Sequence, residues 1–423
     1  MSSRMRRIAV LIAVVVAAAG FRAQAEEFFF KDGDTVVIIG DSITEQHLYS
    51  NYVEMWTVSR FPKWNLTFRN SGIGGDSSGG GNGRFKRDVV VHKATAMTVD
   101  FGMNDGGYKA FEEGRYKTYM KGLQGMADQA KAANIRVAWA TPSPVEKAED
   151  GPALQGYNET LEKYSAGVAE IAQKSQGVFV DQFHPFVALQ DKARAENPKN
   201  RIGGGDAVHP GPAGQTVMAW AILKGLHFPP LVSSAEVDAA GNKVVKAEKC
   251  EVTNVAAKDG GISFQRLDAA LPFFPKEAKA ILKWAPIDQE LNQYALKVTG
   301  LKEGQYDILV DTQKIGEHTA AELAAGVNLA GEALAGGPIA DHVKAVWSAV
   351  AEKNRYYHDK IFRGMVLGAG AVPDWLEIPA AEIEAKKQAA MEKRMAKMPE
   401  LDAAVRKSLE MKPHQFDIVP AKK

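Results

Sequence analysis

The chain has 423 residues, enough for two domains or for one large domain with an elaborate extension. Hydrophobic residues make up 45% and charged residues 24%, the balance of a globular protein with a real core. A net charge of +1 argues against nucleic acid or an anionic membrane surface as the main partner. The one cysteine, Cys250, excludes an internal disulfide and a thiolate zinc cluster, and it reads as a buried or semi-buried small hydrophobe.

The N-terminus has the pattern of a secretory signal peptide. Arg4, Arg6 and Arg7 form a basic region, residues 8–19 an apolar one, and Ala23-Gln24-Ala25 a small-residue cleavage site. Residues 1–25 are therefore expected to be removed, and the protein to be secreted or periplasmic. The apolar stretch is shorter than the ~20 residues a spanning helix needs, so no stable membrane anchor is expected.

From residue 27 to 228 strand-like and helix-like segments alternate. The strand candidates are residues 35–39, 66–70, 95–101, 135–141 and 178–181. The clearest helix between them places Tyr116, Met120, Leu123, Ala127 and Ala130 on one face. Such alternation predicts an α/β domain with a parallel sheet covered on both sides. A boundary falls at Phe228-Pro229-Pro230. Residues 229–315 read as a small strand-rich antiparallel addition, with candidates 294–298 and 306–310 and Gly304 in the turn between them. Residues 316–423 read as a helical extension. Thr319 and Glu322 form a capping box, residues 341–362 a longer helix, and residues 380–411 a charged helical end interrupted at Pro399. The stripe Met391, Met395, Met398 is read as core or docking surface. These apolar helix stripes need a partner, and packing over the mouth of a site is one expectation for them.

The chemistry concentrates at predicted strand ends, where open α/β sheets build their sites. Ser42 in Gly40-Asp41-Ser42 follows the first strand and is a candidate nucleophile. A serine nucleophile needs a base, a group that orients the base, and donors for an oxyanion. Asp206-Ala207-Val208-His209 offers a carboxylate and an imidazole three residues apart, on a loop that enters a helix after Pro210 and Pro212. Asn104, in Gly102-Met103-Asn104-Asp105, offers an amide donor, and Gly75 a backbone N–H unobstructed by a side chain.

These four blocks, with Gly75 inside Asn70-Ser71-Gly72-Ile73-Gly74-Gly75-Asp76, resemble the ordered signature blocks of the SGNH (GDSL-type) hydrolases. The resemblance covers about residues 35–226 and implies a flavodoxin-like three-layer α/β/α fold, esterase activity, and neither metal nor cofactor. It implies Ser42 as nucleophile, Gly75 and Asn104 with the Ser42 N–H as oxyanion hole, His209 as general base and Asp206 as its orienter. The stretch after Leu226 lies outside those blocks.

Two rivals compete with this reading. Gly75-Asp76-Ser77-Ser78-Gly79 fits the G-x-S-x-G elbow, which would make Ser77 the nucleophile. Six of the ten residues 74–83 are glycine, so a loop is expected there rather than a strand–turn–helix. A metallophosphoesterase could draw on Asp41, Asn104, Asp105, Asp206 and His209, but the nine histidines are scattered without paired ligand spacing. Trp56, Trp64 and Trp139 are read as packing aromatics, and His184 as a strand-end cap rather than a pocket residue. The expected function is a serine esterase working through an acyl-enzyme on an ester substrate, with O-acetylated carbohydrate as the expected class. A lipase or lysophospholipase on the same triad is the second reading, and a glycan-binding protein without turnover the third.

Overall fold

Four consecutive apolar residues without alternation make a strand that must be covered on both faces. In the computed structural model, which describes residues 27–146, 154–367 and 377–421, that strand is β1 (Thr35–Gly40), and Val36, Val37, Ile38 and Ile39 are all buried. The expected signal peptide lies outside the described residues. β2 (Thr67–Gly72), β3 (Ala96–Asp100), β4 (Arg136–Ala140) and β5 (Val178–Val180) join β1 in an all-parallel sheet of order β2-β1-β3-β4-β5.

The helices of this part that cover the sheet or carry the site are α1 (Ser42–Glu45), α2 (Leu48–Arg60), α3 (Ser78–Gly83), α4 (Glu113–Ala132), α5 (Tyr157–Ser175), α6 (Phe183–Glu196) and α7 (Pro212–Gly225). Val37 and Ile39 pack with Leu123 and Met126 of α4 and with Val168 of α5. Val36 and Ile38 belong to the opposite cluster, with Trp56 of α2, Phe186 of α6 and Val217 of α7. The result is the expected flavodoxin-like three-layer arrangement. Burying one such side chain contributes about 1.5–3 kcal/mol. The chain leaves β1 for β2 on one side and returns to β3 on the other, so a crevice opens at the carboxyl ends of β1 and β3.

Beyond α7 the chain builds a β-sandwich. One sheet contains β6 (Leu231–Asp238), β7 (Lys243–Glu248), β10 (Gln293–Thr299) and β13 (Val327–Asn328), in the order β13-β10-β6-β7. The other contains β8 (Cys250–Lys258), β9 (Gly261–Asp268), β11 (Gln305–Val310), β12 (Gln313–Thr319) and β14 (His414–Pro420), in the order β12-β11-β14-β9-β8. Residues 294–298 and 306–310 are strands, but they are not neighbours in one antiparallel sheet. Their inward residues, Tyr294, Leu296 and Val298 against Tyr306, Ile308 and Val310, face one another across a shared core, and β10 runs parallel to β6.

The stretch from residue 316 is not wholly helical. The capping box at Thr319 opens α8 (Ala320–Ala325) as the sequence predicts. α9 (Pro338–Tyr356) stops before the predicted end and widens into a π-helical segment, Tyr357–Leu367. α10 (Ala380–Met395) and α11 (Met398–Ser408) follow, with Pro399 in the first turn of α11. The chain then enters β14, where Phe416 and Ile418 alternate into the sandwich core. Two buried residues at period two are too short a pattern to stand out in a charged sequence. Met391, Met395 and Met398 pack around Tyr357, Ile361 and Phe362.

Buried charge ties this extension to the α/β domain. Lys353 of α9 forms an ion pair with Glu54 of α2, both almost fully buried, and Asn354 Nδ2 donates to the same carboxylate at 2.7 Å. Arg69 of β2 donates to both oxygens of Asp402 on α11, at 2.8 and 3.3 Å.

Candidate active site

The turn after β1 leaves no space for a side chain. A Cβ at Gly40 would lie 2.1 Å from Thr44 Oγ1 and 2.7 Å from the Asp100 carbonyl, so the backbone can fold straight into α1 only with glycine there. Asp41 caps α1 by accepting the Ile43 N–H at 2.9 Å. Ser42 is the first residue of the helix, so its N–H has no intrahelical acceptor. Its Oγ lies 2.9 Å from His209 Nε2.

His209 is held by its own loop. Asp206 Oδ1 accepts the N–H groups of Val208 at 2.8 Å and His209 at 2.7 Å, and Oδ2 lies 3.0 Å from His209 Nδ1. The three-residue spacing thus lets one carboxylate fix both the backbone and the ring. A carboxylate on Nδ1 keeps the proton there and leaves the Nε2 lone pair for the Ser42 hydroxyl. Partial burial pushes the Asp206 carboxyl up, but the two N–H groups and the His209 ring outweigh it and hold the carboxyl below its ordinary range.

The other side of the crevice is lined with donors. Gly75 has φ +74°, a conformation that favours glycine, and its N–H has no acceptor among the described residues. Asn104 Nδ2 donates to the Asp76 carbonyl at 2.9 Å, which leaves its second hydrogen uncommitted. Tyr108 donates to Asn104 Oδ1 at 2.6 Å and fixes the orientation of the amide. The structure therefore brings Ser42, His209 and Asp206 into one hydrogen-bonded chain, and joins Asn104 to the loop that carries Gly75.

Sequence reasoning missed Tyr108 and Arg84. The Arg84 guanidinium donates to Asp76 Oδ2, Asp88 Oδ2 and the carbonyls of Ser71 and Gly40, locking the loop to the ends of β1 and β2. Arg84 sits in a basic stretch that looks like a solvated face, so nothing in the sequence marks it. Residues 74–83 also differ from the expected loop, since Ser78–Gly83 form α3. The glycines serve packing: a Cβ at Gly81 would lie 2.6 Å from the Phe101 ring, and one at Gly122 of α4 would meet Ser78 at 2.5 Å. Ser77 is the N-cap of α3, and its Oγ accepts the Gly80 N–H at 3.4 Å. His184 bonds Asp181 at 2.8 Å at the end of β5.

Three acidic side chains sit beneath the crevice. Burial, with Asp100 nearby, pushes the Asp41 carboxyl well up; burial raises Asp100 to about 7 against a hydrogen bond from Gln182, and burial with a smaller push from Asp76 raises Asp105 to about 6 against hydrogen bonds from Ser78. Among the described residues, no group of three or more His, Cys, Asp or Glu side chains converges as a metal site. Asp100 ionises near 4 when unfolded and near 7 when folded, so between those values the folded state holds the extra proton. Stability contributed by this group is therefore lost as pH rises through that window. Asp100→Asn keeps an oxygen for Gln182, and its gain in melting temperature over wild type should be absent at pH 4 and full, at about 3 °C or more, at pH 8. Thermal melts across that range check it.

Residues 38–217 match the GDSL-like lipase/acylhydrolase family. The chain carries an SGNH hydrolase domain of the GDSL type. It is thus an ester-bond hydrolase. The chain is also similar to a solved structure described as BT4096, a gut microbial diltiazem-metabolizing enzyme. The two share 26% identity with a TM-score of 0.79, over 93% of this chain and 98% of that one. That likeness includes the sandwich and the C-terminal helices as well as the hydrolase domain. A second similar structure is Axe2, an acetylxylan esterase from Geobacillus stearothermophilus, at 23% identity and a TM-score of 0.40, over 47% of this chain and 97% of that one. No curated protein sequence matches.

Proposed function

We propose that this SGNH hydrolase is a serine esterase that removes O-acetyl groups from carbohydrate through a covalent acyl-enzyme. The observation that carries the mechanism is the chain Ser42 Oγ–His209 Nε2–His209 Nδ1–Asp206. Ser42 Oγ attacks the ester carbonyl as His209 takes its proton. The developing oxyanion is held by the N–H groups of Ser42 and Gly75 and by the Asn104 amide. The tetrahedral intermediate collapses, His209 protonates the leaving alcohol, and the acyl group stays on Ser42. Water, deprotonated by His209, then releases acetate by the same path.

Polarity around the site supports the substrate class. Asp206 and Asn104 reach solvent at its rim, and Tyr108 adds a hydroxyl. The exposed large apolar side chains among the described residues are Val90, Val91, Phe179, Val244 and Val245, and none of them lies in a segment that carries a site residue. A lipase working at a lipid surface would need such side chains around its mouth. The basic and apolar N-terminal stretch supports an activity outside the cytoplasm.

An ester panel tests this reading: acetylated sugars, acetylated xylan and pectin, diltiazem, and nitrophenyl esters from acetate to decanoate. Acetyl esters of sugars should give the highest kcat/KM, and decanoate should fall at least about 100-fold below acetate. A preference for long acyl chains would overturn the acetyl reading.

A further inference from the structure

The π-helical segment Tyr357–Leu367 carries Arg363 to the end of α1, three residues after Ser42. We propose that Glu45 is a positioning residue for the oxyanion loop and that Arg363 holds it in place, so a residue far downstream of the hydrolase domain sets the rate at Ser42. This rests on the roles given above to Ser42 and Gly75.

The two oxygens of Glu45 are divided between two tasks. Oε2 accepts the Gly74 N–H at 2.7 Å, and Oε1 accepts the Arg363 guanidinium at 2.6 and 2.7 Å. The carboxylate is only 11% exposed, so water competes weakly for either oxygen. Gly74 precedes Gly75, and the Asp76 carbonyl after it is held by Asn104 at 2.9 Å. The Gly75 N–H is thereby suspended between two fixed points. α1 has no slack against the end of β2 either, since a Cβ at Gly72 would lie 2.3 Å from the Glu45 nitrogen.

Three contacts dock the segment beside this relay. Tyr357 Oη lies 2.7 Å from His92 Nε2. The His358 ring packs edge-on against His47 with centroids 4.7 Å apart, and Ile73 joins the apolar cluster around Ile361 and Phe362. An arginine fork on one carboxylate oxygen fixes the direction of the other. Without Arg363 the Glu45 carboxylate can turn, Gly74 loses its anchor, and the Gly75 donor drifts from the place where the oxyanion forms. A misplacement of about 1 Å at such a donor costs up to ~100-fold.

The test uses the full chain with p-nitrophenyl acetate as probe. Arg363→Ala and Glu45→Ala should each lower kcat by about 10- to 100-fold while KM stays within about twofold and the melting temperature within a few degrees. Glu45→Gln, whose side-chain oxygen can still accept from Gly74, should retain more kcat than Glu45→Ala, and Arg363→Lys should recover part of the loss. Wild-type kcat in Arg363→Ala overturns the proposal, as does a change confined to KM. If Glu45→Ala fails to fold, Arg363→Ala decides alone. Ser42→Ala runs in parallel: activity there rejects the underlying reading of the site, whereas an inert Ser42→Ala beside a wild-type-like Arg363→Ala rejects this inference alone.

Discussion

Ser42→Ala should lower kcat by about 10⁵–10⁶ and leave the melting temperature nearly unchanged. Its Oγ has one partner, His209, and alanine fits the first turn of α1 without strain. His209→Ala should cost a similar amount, because nucleophile and base act as a unit and their losses do not add. Asp206→Asn should cost no more than about 10⁴. The Asp206 side chain is 66% exposed, so water can take over part of its task on Nδ1. Ser77→Ala removes only a long capping bond and should leave turnover within about twofold of wild type. Burst kinetics with p-nitrophenyl acetate on all four variants measures this directly. A burst that survives Ser42→Ala and disappears in Ser77→Ala would move the nucleophile to the glycine-rich loop.

Lys353→Met should destabilise the whole protein by about 3–5 kcal/mol. Lys353 is 2% exposed and Glu54 3%, so the substitution strands a carboxylate between α9 and α2 with Asn354 as its remaining partner. The damage extends further, because Lys353 also lies 4.0 Å from Asp402, the carboxylate that holds Arg69. Pairing Lys353→Met with Glu54→Leu removes the stranded charge and should recover most of the loss. Urea titrations of the two single variants and the double variant give the coupling. Equal losses in Lys353→Met and in the double variant would mean that packing, and not the unpaired charge, carries the effect.

The hydrolase half of the molecule was legible because its signals are local. The buried strand β1 reads as a continuous apolar run, and Ser42, Gly75 and Asn104 lie two, three and four residues beyond β1, β2 and β3. The Asp206–His209 pair was readable for the same reason, since three residues separate a carboxylate from the ring it orients. Tyr108, Arg84 and Glu45 were not legible. Each acts through a bond to a residue it does not border in the sequence, and Arg84 and Glu45 belong to types that usually face solvent. The sandwich was misread at its connections. Alternation shows that residues 294–298 and 306–310 are strands, but it does not say whether two inward faces lie side by side or opposite each other. β14 was missed because its core residues contact β9 and β11, far away in the chain. The helix over residues 78–83 was hidden by its glycines, whose low helix propensity is overridden by close packing against Phe101 and against α4 at Gly122.

The position of β14 between β11 and β9 has a bearing on how the molecule is made. β13 lies just before the long helical excursion and β14 just after it, so the sandwich buckles both ends of a belt that crosses the hydrolase domain. Arg363 and Lys353 ride on that belt. Once it is fastened, each meets its carboxylate as a tethered group at high effective concentration, and contacts that would be weak between separate molecules stay formed. Before then the situation is reversed. A chain still folding that has already brought Ser42, Asp206 and His209 together lacks the cations that belong to Glu45 and Glu54. The belt closes only when residues 414–420 pair with β11 and β9, so full activity should appear late in folding, and together with the sandwich.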